Sequence, residues 1–126
     1  MKEKYSKYIY FTYRILIALL FASHGVQKLF GEMGGHKVSS TKLVIAGLLE
    51  FFGGILIAAG YKTRYVAAVL FLEMFYAYFF VHAGRGAWPI QNGGELAALY
   101  LLSFLLMIGY GAGIWSIDSL ILRKKK

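Results

Sequence analysis

The chain has 126 residues, 59% of them apolar and only 16% charged, against roughly 25% charged residues in an average soluble domain. A chain this short buries too little surface to hide so many apolar side chains in a water-soluble core, so the composition excludes a soluble globule and points to lipid. The formal net charge of +8 gathers at the two ends and in short connections, which disfavours a nucleic-acid stripe. The absence of cysteine excludes disulfides, cysteine-ligated iron–sulfur clusters and thiol relays within the chain.

Lys2 to Lys7 precede an apolar run over 8–30 that is longer than the ~7 to 15 apolar residues of a signal peptide, and the run carries polar residues that a disposable segment does not need. It is expected to be a retained first transmembrane helix. Further apolar segments follow at 42–59, 64–83 and 93–110, each close to the ~20 residues that cross ~30 Å of hydrocarbon, the second and fourth being the short ones. Between them lie a polar, glycine-bearing loop (31–41), a tight turn (60–63) and a loop holding the only proline, Pro89 (84–92). Nothing alternates as a barrel strand does, and backbone groups in lipid must be paired internally. The expected fold is therefore all-α: one integral-membrane domain over 1–126, a four-helix bundle running up-down-up-down.

Lys2, Lys4, Lys7, Lys62, Arg64, Arg123, Lys124, Lys125 and Lys126 fall on one side of that bundle, against Lys28, Lys37, Lys42 and Arg85 on the other. This imbalance places both termini in the cytoplasm. Residues 111–122 then form a short interfacial C-terminal segment, with Tyr110 and Trp115 in the headgroup belt and the last basic residues against anionic lipid.

Counted along the helices, Glu50 lies roughly 12 Å below the outer end of the second and Glu73 roughly 13 Å above the inner end of the third, so both carboxyls sit near mid-membrane. An ionisable group there costs ~2.5 to 3.5 kcal/mol on insertion scales, so it is expected to face the interior and to have a partner. Ala46, Gly54 and Ala58 continue the stripe of Glu50, with Gly47 and Gly53 beside it, and small residues let another helix approach closely. Glu50 is read either as a ligand or proton site or as a neutral carboxylic acid bonding two helices; desolvation keeps it neutral unless a buried cation such as Lys28 reaches it. Glu73 is read chiefly as structural, because His82, nine residues on, projects from nearly the opposite side of an ideal helix. His24, Gln27 and Lys28 near the end of the first helix serve either as site residues or as a cap from which Lys28 snorkels outward. Arg14 is read as a snorkelling inner-leaflet residue paired with Asp118. The ten Tyr and ten Phe fill lipid-facing surface and also suit the walls of a pocket for a planar ligand.

The sequence resembles the DoxX family of small membrane proteins, related to the membrane subunit of thiosulfate:quinone oxidoreductase. The resemblance rests on His-Gly-Val-Gln-Lys-Leu-Phe-Gly at 24–31, Leu-Glu-Phe-Phe-Gly-Gly at 49–54 with Gly60, and Thr63-Arg64. It continues with Glu73-Met74 and His82, Asn-Gly-Gly-Glu at 92–95, and Gly-Ala-Gly-Ile-Trp-Ser-Ile-Asp at 111–118, where the family's usual Gly-Pro-Gly has become Gly-Ala-Gly and a looser turn is expected.

What the resemblance implies is a multi-pass protein of the cell membrane acting in quinone-coupled oxidation of small reduced sulfur compounds or in protection against reactive quinones. On that reading quinone is the candidate cofactor, with no metal. The catalytic candidates are His24 as primary proton donor, Glu50 as proton relay or pocket carboxylate, and Glu95, with His82, as the connection toward water; Gln27, Lys28, His82 and Asn92 are the candidates for binding and orienting the ligand. Electrons come from a soluble or membrane oxidoreductase partner or a bound reductant, and a homo-oligomer is compatible. Two other classes stand beside this one: a small-molecule or proton-coupled carrier, for which a dimer supplies two halves, and a non-catalytic anchor or assembly protein. Haem held by His24 and His82 has no supporting motif. The polar groups of the outer leaflet are expected to form one connected pocket, with His24 facing Glu50 or Glu95, Gln27 and Asn92 at the rim, and His82 its least secure member.

Reporter fusions after Lys126 and in the 60–63 turn are expected to read as cytoplasmic, and fusions in the other two loops as external. An external C-terminus contradicts the orientation and the depths derived from it.

Overall fold

The computed structural model describes residues 3–126, and Lys2, counted above among the cytoplasmic charges, lies outside them. Every regular element among the described residues is helical. Helix α1 is Glu3–Phe30, α2 Thr41–Ala59 and α3 Thr63–Tyr76; α3 runs on through a π-helical stretch, Ala77–His82, and a 3-10 turn, Ala83–Arg85. A single turn, α4, at Pro89–Asn92 precedes α5 at Glu95–Tyr110, and α6 at Ile117–Lys124 follows. The loop expected over 84–92 is thus partly helical, with Pro89 in the first turn of α4, where its missing N–H costs nothing. Helices α1, α2 and Thr63–Arg85 are long and apolar enough to cross a membrane, whereas α5 is apolar but shorter. Large apolar side chains face outward, among them Leu19, Phe52, Leu72 and Leu102, each more than half exposed. Helices apolar on their outer faces as well as in their core suit lipid rather than water.

Small residues set the spacing of α1 and α2. A Cβ added to Gly54 would stand 2.7 Å from the Cβ of Ala22 and 2.8 Å from the carbonyl of Ala18, and one on Gly25 would stand 2.8 Å from the carbonyl of Gly47. The two helices therefore pack antiparallel with their backbones almost touching, a packing that gains dispersion contacts where lipid provides no hydrophobic drive. The adjacent Gly53 faces another direction, against Leu70 of α3, where a Cβ would lie 2.7 Å from the Leu70 side chain. Helix α2 is thus wedged between α1 and α3. Helix α5 packs along α3, and Phe21 of α1 joins the two hairpins, its ring 4.9 Å from that of Tyr100 and 4.8 Å from that of Phe104.

The end of the bundle that holds the tail is fastened by polar contacts to backbone. Arg14 is fully buried, with its guanidinium donating to the carbonyls of Ala112, Ile114 and Trp115. The Tyr10 hydroxyl donates to Gly111 O at 2.5 Å, and Arg64 donates to Ile108 O and Gly109 O, the unpaired carbonyls at the end of α5. This corrects the expected role of Arg14. It neither snorkels nor bonds Asp118, because Asp118 accepts the backbone N–H groups of Lys62 and Thr63 at the start of α3. The turn at Gly111-Ala112-Gly113, expected to be loose without proline, is held by Arg14 and by two glycines at positive φ. Helix α6 then leads off with Ile117, Leu120 and Ile121 exposed and Arg123 and Lys124 in its last turn.

Candidate functional site

Long side chains on a helix lean toward its N-terminus, so a lysine near the end of α1 reaches back into the bundle. Lys28 does so: it does not snorkel outward, and its Nζ lies 2.5 Å from Glu50 Oε1. The Glu50 side chain is 4% exposed and that of Lys28 26%, so the pair is sheltered rather than solvated. Glu50 sits where α2 turns from one neighbour to the next, with Gly47 and Gly54 toward α1 and Gly53 toward α3. It meets Lys28 on the first side and Glu73 on the second.

The π-helical stretch changes what α3 can present. The N–H of Ala83 bonds the carbonyl of Tyr78, five residues back, and the extra residue in the turn swings the following side chains by roughly 100° relative to an ideal helix. Glu73 and His82, expected on opposite sides, therefore line one cavity. That cavity is a groove of about 960 Å³ between α2 and α3, walled by Leu43, Ala46, Leu49, Val69 and Leu72, with Lys28, Glu50, Glu73 and His82 as its polar side. Its volume is at the upper end of the ~300 to 1,000 Å³ typical of small-molecule sites.

A smaller cavity of about 280 Å³ lies on the other side of the Lys28–Glu50 pair, among α1, α3 and α5. His24, Phe21, His82, Leu96 and Tyr100 line it, and the His24 ring meets Tyr100 edge-on at 5.8 Å. It brings His24 and His82 together but falls below the size of drug-like ligands, and so is too small for a porphyrin. His82 Nδ1 is 3.3 Å from the Asn92 carbonyl, which only accepts, so Nδ1 carries the hydrogen and Nε2 is left free for the cavities.

Three expected members of the pocket lie elsewhere. Gln27 donates to Met33 O at 2.9 Å and lies against Gly35, which pins the 31–40 loop. Asn92, 3% exposed, accepts from Gly94 N at 2.8 Å and donates to Gly86 O and Tyr78 Oη, so it shapes the turn into α5. Glu95, the first residue of α5, is exposed and borders neither cavity. Amides at helix ends found backbone partners nearby, and a carboxyl in the first turn of a helix is favoured there by the helix dipole without a pocket. Glu73 and Tyr100 join His24, Lys28, Glu50 and His82 instead. For Glu73 the available signal was its position, since residues 50 and 73 lie equally far from the 60–63 turn that joins the two helices.

These features define a helical membrane protein with a charged cluster enclosed among apolar helices. The chain belongs to the DoxX family, whose sequence profile matches residues 9–83. An uncharacterized protein of Haemophilus influenzae is 42% identical to it over 97% of each chain. A second uncharacterized protein of that organism is 30% identical across 71% of this chain, which spans 54% of that relative's length. No solved structure matches the chain significantly.

Removing one member of a buried ion pair strands the other, at a cost of order 3 kcal/mol, whereas removing both removes the problem. Lys28→Met is therefore expected to lower the stability of the detergent-solubilised protein more than Lys28→Met with Glu50→Gln, measured by unfolding in denaturing detergent. Equal or additive losses contradict the pairing.

Proposed function

We propose that the protein is the membrane subunit of a quinone-coupled oxidoreductase, multi-pass in the cell membrane with both termini cytoplasmic. The observation that carries this reading is an apolar groove, bordered by lipid-facing helices, that ends on Lys28, Glu50, Glu73 and His82. A quinone is amphiphilic in the same sense, with an apolar tail for the groove and a ring whose carbonyl oxygens accept hydrogen bonds. When bound, the quinone supplies the two-electron chemistry. The chain supplies a cation at Lys28 Nζ to hold a carbonyl oxygen and carboxyl groups that exchange protons with it. His24 and Tyr100 stand behind the Lys28–Glu50 pair, where they connect protons to the site rather than touch the ring. Membership of the family supports small reduced sulfur compounds or reactive quinones as the substrate class, with electrons entering from an oxidoreductase partner or a bound reductant.

A proton-coupled small-molecule carrier is the second reading, favoured by the position of the Lys28–Glu50 pair between two cavities. Under it the same groups alternate access without electron transfer.

After extraction in mild detergent, the protein is expected to carry about one quinone per chain, identified by absorbance and mass spectrometry. Ala46→Trp, which fills the groove wall, is expected to reduce that content at least tenfold. Wild-type protein free of quinone, or quinone retained in full by Ala46→Trp, overturns the reading.

A further inference from the structure

We infer that Glu50 and Glu73 form a carboxyl pair that holds one proton between them, with Lys28 as the single compensating charge, and that this pair is a proton store opening onto the groove. Three buried oxygens lead to it. Glu50 Oε2 and both oxygens of Glu73 have no hydrogen-bond donor within the protein, although each is shielded from solvent. Glu50 Oε1 is already taken by Lys28. Two ionised carboxylates only accept, so neither can satisfy the other, whereas one proton turns one of them into a donor and pairs two of the orphaned oxygens at once.

Register puts the two groups side by side. Gly53 and Leu70 are in contact across the antiparallel α2 and α3, and moving three residues along each helix in opposite directions brings Glu50 opposite Glu73. Both line the groove, and Glu73 lies close enough to feel the charges of Glu50 and Lys28.

Charge balance fixes the proton count. The groups facing the pair are Lys28 and His24 from α1, His82 from the end of α3, Tyr100 from α5 and Lys42 at the rim of the groove. Of these only Lys28 contacts a carboxyl oxygen of the pair. One ammonium, one carboxylate and one carboxylic acid sum to zero, whereas two carboxylates leave an uncompensated charge among apolar helices. The two carboxyls face each other with one proton between them, so that proton belongs to the pair rather than to either residue. A proton passed to an acceptor oxygen in the groove leaves two carboxylates facing one ammonium, and the pair recovers its proton afterwards. The pair deepens the quinone reading by naming the group that stores its proton, but its existence does not depend on a quinone.

The test is infrared spectroscopy of wild-type protein stripped of quinone, at neutral pH, with exchange into heavy water to mark carboxylic acid bands. The chain has only six acidic residues, and Glu50 and Glu73 are the two enclosed by the bundle, so a shielded carboxylic acid band belongs to them. Wild type is expected to show one such acid per chain. Glu73→Gln and Glu50→Gln are each expected to abolish the band, because the carboxyl that remains pairs with Lys28 alone; Lys28→Met is expected to strengthen it. No shielded acid in wild type overturns the proposal even if a variant fails to fold, and a band unchanged in Glu50→Gln overturns it by assigning the proton to Glu73 alone. Since no quinone is present, an empty groove and an unprotonated pair are separate failures.

Discussion

A lysine ammonium and two carboxyls enclosed by apolar helices have to neutralise one another, and the packing of α1, α2 and α3 meets that demand. Glu50 cannot reach both partners unless α2 lies close to both neighbours. Gly25, Gly47 and Gly54 bring α1 to near backbone contact, and Gly53 admits Leu70 of α3. The glycines weaken helix propensity by up to ~1 kcal/mol each, a cost that close packing offsets when it lets a buried charge be paired. The π-helical stretch completes the arrangement by turning His82 onto the side of α3 that carries Glu73.

The opposite end of the molecule is fastened by contacts of a different kind. Arg14 and Tyr10 hold the 111–115 turn through carbonyl oxygens, Arg64 closes the end of α5, and Asp118 caps α3. A guanidinium whose two terminal nitrogens bond carbonyl dipoles brings no second charge into the core, and this end acts as a fixed base. The groove and the smaller cavity lie toward the other end, where the cluster has unpaired oxygens.

The all-helical, lipid-compatible character of the chain was legible because apolar runs separated by glycine and polar residues are a composition-level signal. The burial of Glu50 was legible as well: a carboxyl in a stripe of small residues points to close helix contact. The direction of Lys28 was not, because snorkelling and inward pairing fit the same residue at the same helix end, and only the distance to Glu50 decides between them. Gln27, Asn92 and Glu95 were misplaced for a related reason, since polar side chains at helix ends serve nearby backbone as readily as a ligand. Arg14 gave no sequence signal of its partners, which are carbonyls and carry no residue identity. Nor did any residue over 77–82 announce a π-helical turn, and with an ideal helix assumed Glu73 and His82 fell on opposite sides.

The groove between α2 and α3, and not the general lipid-facing surface, is the proposed site for a lipid-soluble quinone. The chain has no cysteine, so single cysteines can report on it without background. Leu49→Cys lines the groove, and Leu102→Cys lies on the outer face of α5. The measurement is the rate at which each is alkylated in membranes by a lipid-soluble maleimide, with and without a short-chain ubiquinone. Quinone is expected to slow labelling at residue 49 and leave residue 102 unchanged; equal slowing at both positions, or none at either, overturns the groove as the quinone site.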